Sequence, residues 1–201
     1  MKLFRRLPTT PLGLSTTVLA SWLLGACSTD PTEAPGPLRK ETVVAVTAQA
    51  ELIRFNAGQP QKVLARQALR GLPAGERLVG LDYRVARGVL YAVGSGGRLY
   101  TLDTATAQLT PVGTAAPVAL SGQRFGVDFN PVADRIRVVS GRFNLRLHPD
   151  TGAAVDFDPA TPGLQPDPEL HYAAGDASAG RLPDVVAAGY TYNKTDGRLT
   201  T

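Results

Sequence analysis

Four side chains stand in a pattern that could do chemistry: Arg135, Arg137, Asn144 and Arg146, with Arg142 close by. Alternation along an extended strand puts Arg135 and Arg137 on one face, opposite Ile136 and Val138. Guanidinium forks grouped in this way can hold a carboxylate, a phosphate or an acidic sugar in bidentate fashion. The competing reading is a solvated outer face whose arginines pair locally with Asp128 or Asp134. The two histidines are less suggestive, since His148 precedes Pro149 at a strand end and His171 sits in a proline-rich stretch. H-E-x-x-H, G-x-S-x-G and a phosphate-cradling P-loop are all missing from the chain. Gly94-Ser95-Gly96-Gly97 joins two short apolar runs and reads as a turn.

Acidic residues gather at Asp150, Asp156, Asp158, Asp167, Asp176 and Asp184. Asp156 and Asp158 could give calcium two carboxylates, although their spacing is not that of an EF-hand and such residues commonly cap turns. No cofactor is expected, and calcium is the one candidate. Cys27 is the only cysteine, which excludes an intrachain disulfide and a multi-thiolate metal site.

The surroundings of Cys27 indicate export. Lys2, Arg5 and Arg6 precede an apolar stretch from Pro11 to Leu24, followed by Gly25 and Ala26. Leu24-Gly25-Ala26-Cys27 resembles the bacterial lipobox, in which cleavage occurs before the cysteine and the thiol is acylated. Residues 1–26 are therefore expected to be a lipoprotein signal peptide, Cys27 the lipidation site, and residues 27–40 a proline-rich tether. This implies a partner, the membrane, reached through an N-terminal lipid, and a bacterial cell-envelope location facing the periplasm or the surface. Of 21 basic residues, three fall in the signal segment and 18 remain against 17 acidic ones, so the working protein carries a net charge of only +1. A nucleic-acid ligand is excluded on that balance. With 43% hydrophobic and 19% charged residues, the chain is too apolar to be disordered.

The elements that must position these side chains recur at regular intervals. Apolar runs at Leu78–Arg84, Val89–Val93, Arg98–Asp103 and Gln108–Val112 are followed by a second quartet, Phe125–Phe129, Arg135–Ser140, Asn144–His148 and Ala153–Phe157. The quartets superimpose with a shift of 45–46 residues, placing Gly80-Leu81-Asp82-Tyr83 on Gly126-Val127-Asp128-Phe129. Val44-Ala45-Val46 aligns with Tyr91-Ala92-Val93, so the repeat starts inside a module. Val185–Tyr192 and Gly197–Thr201, joined by a turn at Asn193–Gly197, read as two strands of a further copy. Four strands in ~40–50 residues is the period of a β-propeller blade, since one such sheet cannot cover its own apolar faces. The expected fold is all-β, a propeller-like array of about three four-stranded antiparallel modules over residues 41–201. At that length the array is expected to be an incomplete piece of a longer protein. A two-layer sandwich of hairpins fits the same periodicity.

The segments LVGLDY (78–83), GRLYTLD (97–103), FGVDFNP (125–131), DRIRVVS (134–140), NLRL (144–147), PDTG (149–152) and YAAGD (172–176) together resemble a family of bacterial exported domains of unknown function. The resemblance implies a propeller-like fold and export, and it supplies no catalytic residues. The expected role is a lipid-anchored module that binds a glycan or a protein partner at the envelope. The alternatives are an envelope hydrolase or lyase using His148 with nearby carboxylates in a central channel, and a non-functional fragment. The 27 residues of Asp158–Asp184 carry the Tyr172–Asp176 motif and are expected to pack over a module end.

Overall fold

The computed structural model describes residues 35–191, which form ten strands and no helix. The first sheet contains β1 (Thr42–Val46), β2 (Glu51–Asn56) and β3 (Val63–Ala68). The second contains β4 (Leu78–Arg84), β5 (Val89–Gly94), β6 (Leu99–Asp103) and β7 (Gln108–Pro111). The third contains β8 (Gly126–Asn130), β9 (Arg135–Ser140) and β10 (Phe143–Leu147). Each sheet is an antiparallel meander in which neighbours in sequence pair in space. The signal segment, Cys27 and the start of the tether lie outside the described residues, as does everything from Tyr192 onward, including the expected Gly197–Thr201 strand. At the end of the tether stretch, Arg39 N–H donates to Asn56 Oδ1 at 2.9 Å and Gln59 Nε2 donates to the Gly36 carbonyl at 2.9 Å.

The hydrophobic pattern explains how the sheets pile up. The run from Val89 to Val93 is apolar throughout, as expected for a strand covered on both faces. Leu90 and Ala92 join Tyr100, Leu102, Leu109 and Leu52 in one cluster, between the second and first sheets. Tyr91, Val93 and Leu99 join Phe129, Ile136, Val138, Leu145 and Leu147 in another, between the second and third. The Tyr91 and Phe129 rings meet edge to face, with centroids 5.2 Å apart. Each such side chain, fully buried, contributes roughly 1.5–3 kcal/mol. In β9, by contrast, Ile136 and Val138 are buried while Arg135 and Arg137 on the other face are only half-buried.

Two expected strands are not formed. Ala153–Phe157 makes a single bridge, Leu147↔Ala154, because Pro149 and the left-handed Gly152 (φ 72°) open a turn. Asp156 Oδ1 then accepts the N–H groups of Asp158 and Gln165, which bends the chain away. The described part of Val185–Tyr192 makes one bridge, Gly141↔Val185, and otherwise runs beside β8 without ladder pairing.

Candidate functional site

The repeated Gly-x-Asp-aromatic motif joins one module to the next. The Asp82 carboxylate on β4 accepts the Phe129 N–H of β8 at 2.8 Å. In the next copy the Asp128 carboxylate accepts the Tyr190 N–H at 2.6 Å. The glycines make room for this approach, because a Cβ at Gly80 would collide with Val127 and one at Gly126 with the backbone of Ala187 and Ala188. Asp82 and Asp128 line the same cleft, and burial, with Asp82 as a second acid nearby, raises the Asp128 carboxyl from 3.8 to about 6.

Directly opposite residues in an antiparallel pair share a face. The third sheet thus presents a row, Asp128 opposite Arg137 and Arg137 opposite Arg146. The same register in the second sheet holds Asp82, Tyr91 and Thr101. The two modules therefore differ where one buries an aromatic ring and the other sets two arginines side by side. Like charges facing one another are destabilising unless neutralised. The neutralising group is Asp167, whose side chain is only 3% exposed. Arg146 Nε reaches it at 2.9 Å and Nη2 at 2.6 Å, and Arg137 Nη1 at 3.1 Å. Hydrogen bonding to Asp167 raises the Arg146 guanidinium above its usual value.

Arg135, Arg137 and Arg146 come together with Asn130, Ala133 and Tyr190 around a cleft of about 250 Å³. Arg137 Nε donates to the Tyr190 hydroxyl at 3.3 Å. Arg135 Nη1 donates to the Asp134 carbonyl at 2.8 Å and takes part in no ion pair among the described residues. Three guanidinium groups thus line this cleft against one buried carboxylate. Asn144 stands behind them, its Oδ1 accepting from Arg137 Nη1 at 2.5 Å and its Nδ2 donating to the Pro168 carbonyl at 3.0 Å.

The pairing expected with Asp128 or Asp134 is not found. Asp128 accepts the Tyr190 N–H, and Asp134 faces Arg84, whose side chain is 4% exposed. Arg84 also binds Asp150 at 2.5 Å, which holds the Asp150 carboxyl below the usual carboxylate range and raises the guanidinium. Arg84, Asp82, Asp128, Asp134, Tyr83, Phe129 and Tyr190 share a neighbouring cleft of about 270 Å³. Tyr190 is the wall common to both clefts.

A family model described as Domain of unknown function (DUF4394) matches residues 51–201. The chain belongs to that family. The match opens at Glu51, the first residue of β2, and takes in both copies of the Gly-x-Asp motif and all three cleft arginines of this DUF4394 member. No curated protein and no solved structure matches it.

In this DUF4394 chain Arg142 pairs with Glu169 and Asp184 with Arg124, while the two histidines, Asp156 and Asp158 serve turns. His148 Nδ1 accepts the Asp150 N–H at 3.2 Å, and His171 Nδ1 lies 3.3 Å from the Glu169 carbonyl. Asp158 caps Ala160 and Thr161, so its oxygens, like those of Asp156, are directed into the loop. Among the described residues, no three His, Cys, Asp or Glu side chains come together as a metal-holding group. Tyr190 and Asp167 were not identified from sequence as parts of the cleft. The aromatic at the repeat position of Phe129 is a usable signal for Tyr190, whereas nothing local marks Asp167.

Proposed function

We propose that this protein is a lipid-anchored module of the bacterial cell envelope that binds an anionic ligand in the cleft of Arg135, Arg137 and Arg146. A carboxylate, a phosphate or the acid group of an envelope glycan has the chemistry that this cleft accepts. The observation that carries the reading is that Arg137 and Arg146 face one another across β9 and β10 with one buried carboxylate between them, while Arg135 adds an unpaired cation. A merely solvated face has no reason to gather three guanidinium groups around a single acid. The sheets are read as radial blades of a propeller-like array, supported by the two apolar clusters that separate successive sheets and by the repeated Asp-to-N–H contact. The lipid anchor at Cys27 rests on the lipobox-like tetrapeptide.

The test is calorimetric titration of the purified, unlipidated protein with sulfate and with a uronic acid. Arg135→Gln removes a cation without disturbing Asp167, so affinity is expected to fall several-fold while the melting temperature holds. Equal affinity in the variant and the parent refutes the assignment.

A further inference from the structure

We propose that the groove between β1 and β4 is a docking site for a second copy of this chain, which supplies residues 186–190 as an added antiparallel strand on the open edge of β1. The inference does not depend on the anion-binding reading. In the repeat β1 holds the position of β5, since Val44-Ala45-Val46 matches Tyr91-Ala92-Val93. β5 is paired on both edges, by β4 and β6, whereas β1 has one strand neighbour among the described residues, β2. Hydrogen bonds fix which of its groups are left over. Thr47 N–H donates to the Glu51 carbonyl at 2.9 Å and Ala57 N–H to the Glu41 carbonyl at 3.1 Å, so the odd-numbered residues here bond to β2. The N–H and C=O groups of Val44 and Val46 therefore point to the open edge, as those of Tyr91 and Val93 point to β4. Beside that edge lies a groove of about 360 Å³, walled by Val46 and Leu69 and by Leu78, Val79 and Leu81 of β4. An unpaired edge above an apolar wall is the arrangement that strand addition uses.

The second module shows what fits such a groove. There β4 pairs with β5 on one side and packs against β8 on the other. Residues 186–190 stand towards β8 as β8 stands towards β4. The Ala187–Ala188 backbone lies against Gly126 as Val127 lies against Gly80, and Tyr190 N–H reaches Asp128 as Phe129 N–H reaches Asp82. This segment is thus a first strand without a ladder partner, and Val186, Ala187 and Gly189 are exposed along it. The first sheet is a module without a first strand, so the two deficits match, and filling the groove continues an interface that the molecule already forms twice. Transferring the register of β4 on β5 sets Val44 opposite Gly189 and Val46 opposite Ala187, whose small side chains fit between Val46 and Leu81. The donor must be another copy. One apolar cluster lies between the first and second sheets and one between the second and third, while Tyr190 lies on the arginine face beyond the third. Within one chain, the second and third sheets therefore separate the segment from the groove. Two copies exchanging this strand about a two-fold axis close their sheets into one ring if the sheets are radial, as read above.

Sedimentation velocity of the purified, unlipidated protein over a concentration series is expected to show a dimer of twice the chain mass. Val44→Pro keeps the bonds to β2, because the N–H it removes points away from that strand, and is expected to be monomeric. Ala187→Pro removes the matching donor on the other side of the contact and is expected to be monomeric too. Thermal melts establish that each variant is folded. Hydrogen exchange on the parent gives a readout that needs no variant: the Val44 and Val46 amides are expected to exchange more slowly in the dimer than at dilutions where the monomer prevails. A parent that stays monomeric throughout the series, or a dimer that both folded variants retain, overturns the docking and leaves the stacking of the sheets untouched. Open chains that lengthen with concentration and vanish in Val44→Pro support the docking and refute the radial arrangement instead.

Discussion

Replacing Asp128 with asparagine should stabilise this protein at neutral pH, which is unusual for a residue placed by a repeated motif. In the folded chain, burial next to Asp82 raises the Asp128 carboxyl from 3.8 to about 6. A group whose pKa is higher in the folded state than in the unfolded state contributes stability below the unfolded value. That contribution is lost as the pH rises, here from about 4 to about 6. Two pKa units correspond to about 3 kcal/mol at full strength, but Asp128 is only partly buried, and solvent screening reduces this to about 1 kcal/mol. The asparagine cannot ionise, and its oxygen can still accept the Tyr190 N–H. Thermal melts followed by circular dichroism should show the variant melting about 3 °C above the parent at neutral pH. The difference should shrink towards pH 4. A variant that melts below the parent at neutral pH, or a difference that does not change with pH, would refute the reasoning.

Other perturbations follow from the same contacts. Gly126→Ala should cost about 1–3 kcal/mol, because a Cβ there meets the Ala187–Ala188 backbone, which cannot swing aside as a flexible side chain could; urea unfolding measures it. Arg84→Ala should lower the melting temperature by removing a buried guanidinium that links the exposed Asp134 and Asp150 carboxylates, and the variant's acid unfolding should lose the component due to the depressed Asp150 carboxyl as pH falls. Leu147→Ala, at the fully buried centre of the cluster between the second and third sheets, should cost about 2–5 kcal/mol, whereas Leu182→Ala at a 73% exposed site should be near neutral in the same assay. Asp167→Asn leaves Arg137 and Arg146 facing one another without a counter-charge and should lower the melting temperature most in low salt.

The strands whose sequence pattern was local were legible in advance. Leu78–Arg84 and Arg135–Ser140 form with the expected bounds, since alternation and turn residues on either side define them without help from distant contacts. Ala153–Phe157 has a similar composition yet makes only one bridge, because the Asp156 caps and the left-handed Gly152 redirect its backbone. The face carrying Arg135 and Arg137 was also legible, whereas their counter-ion was not. Asp167 lies 30 residues beyond Arg137 and 21 beyond Arg146, in an irregular proline-rich loop with no periodicity to register it.

By itself, the sequence determined an all-β chain of repeated antiparallel meanders, with one arginine-bearing face opposite an apolar one. Those properties follow from side-chain alternation and turn chemistry, both of which act over a few residues. Tertiary structure alone decided that Asp82 and Asp128 each clasp the following module, and that Asp167 and Tyr190 complete the arginine cleft. These contacts join segments 21 to 62 residues apart. The two clasps depend on how closely Gly80 and Gly126 let the next segment approach, a quantity fixed by packing that no local pattern encodes.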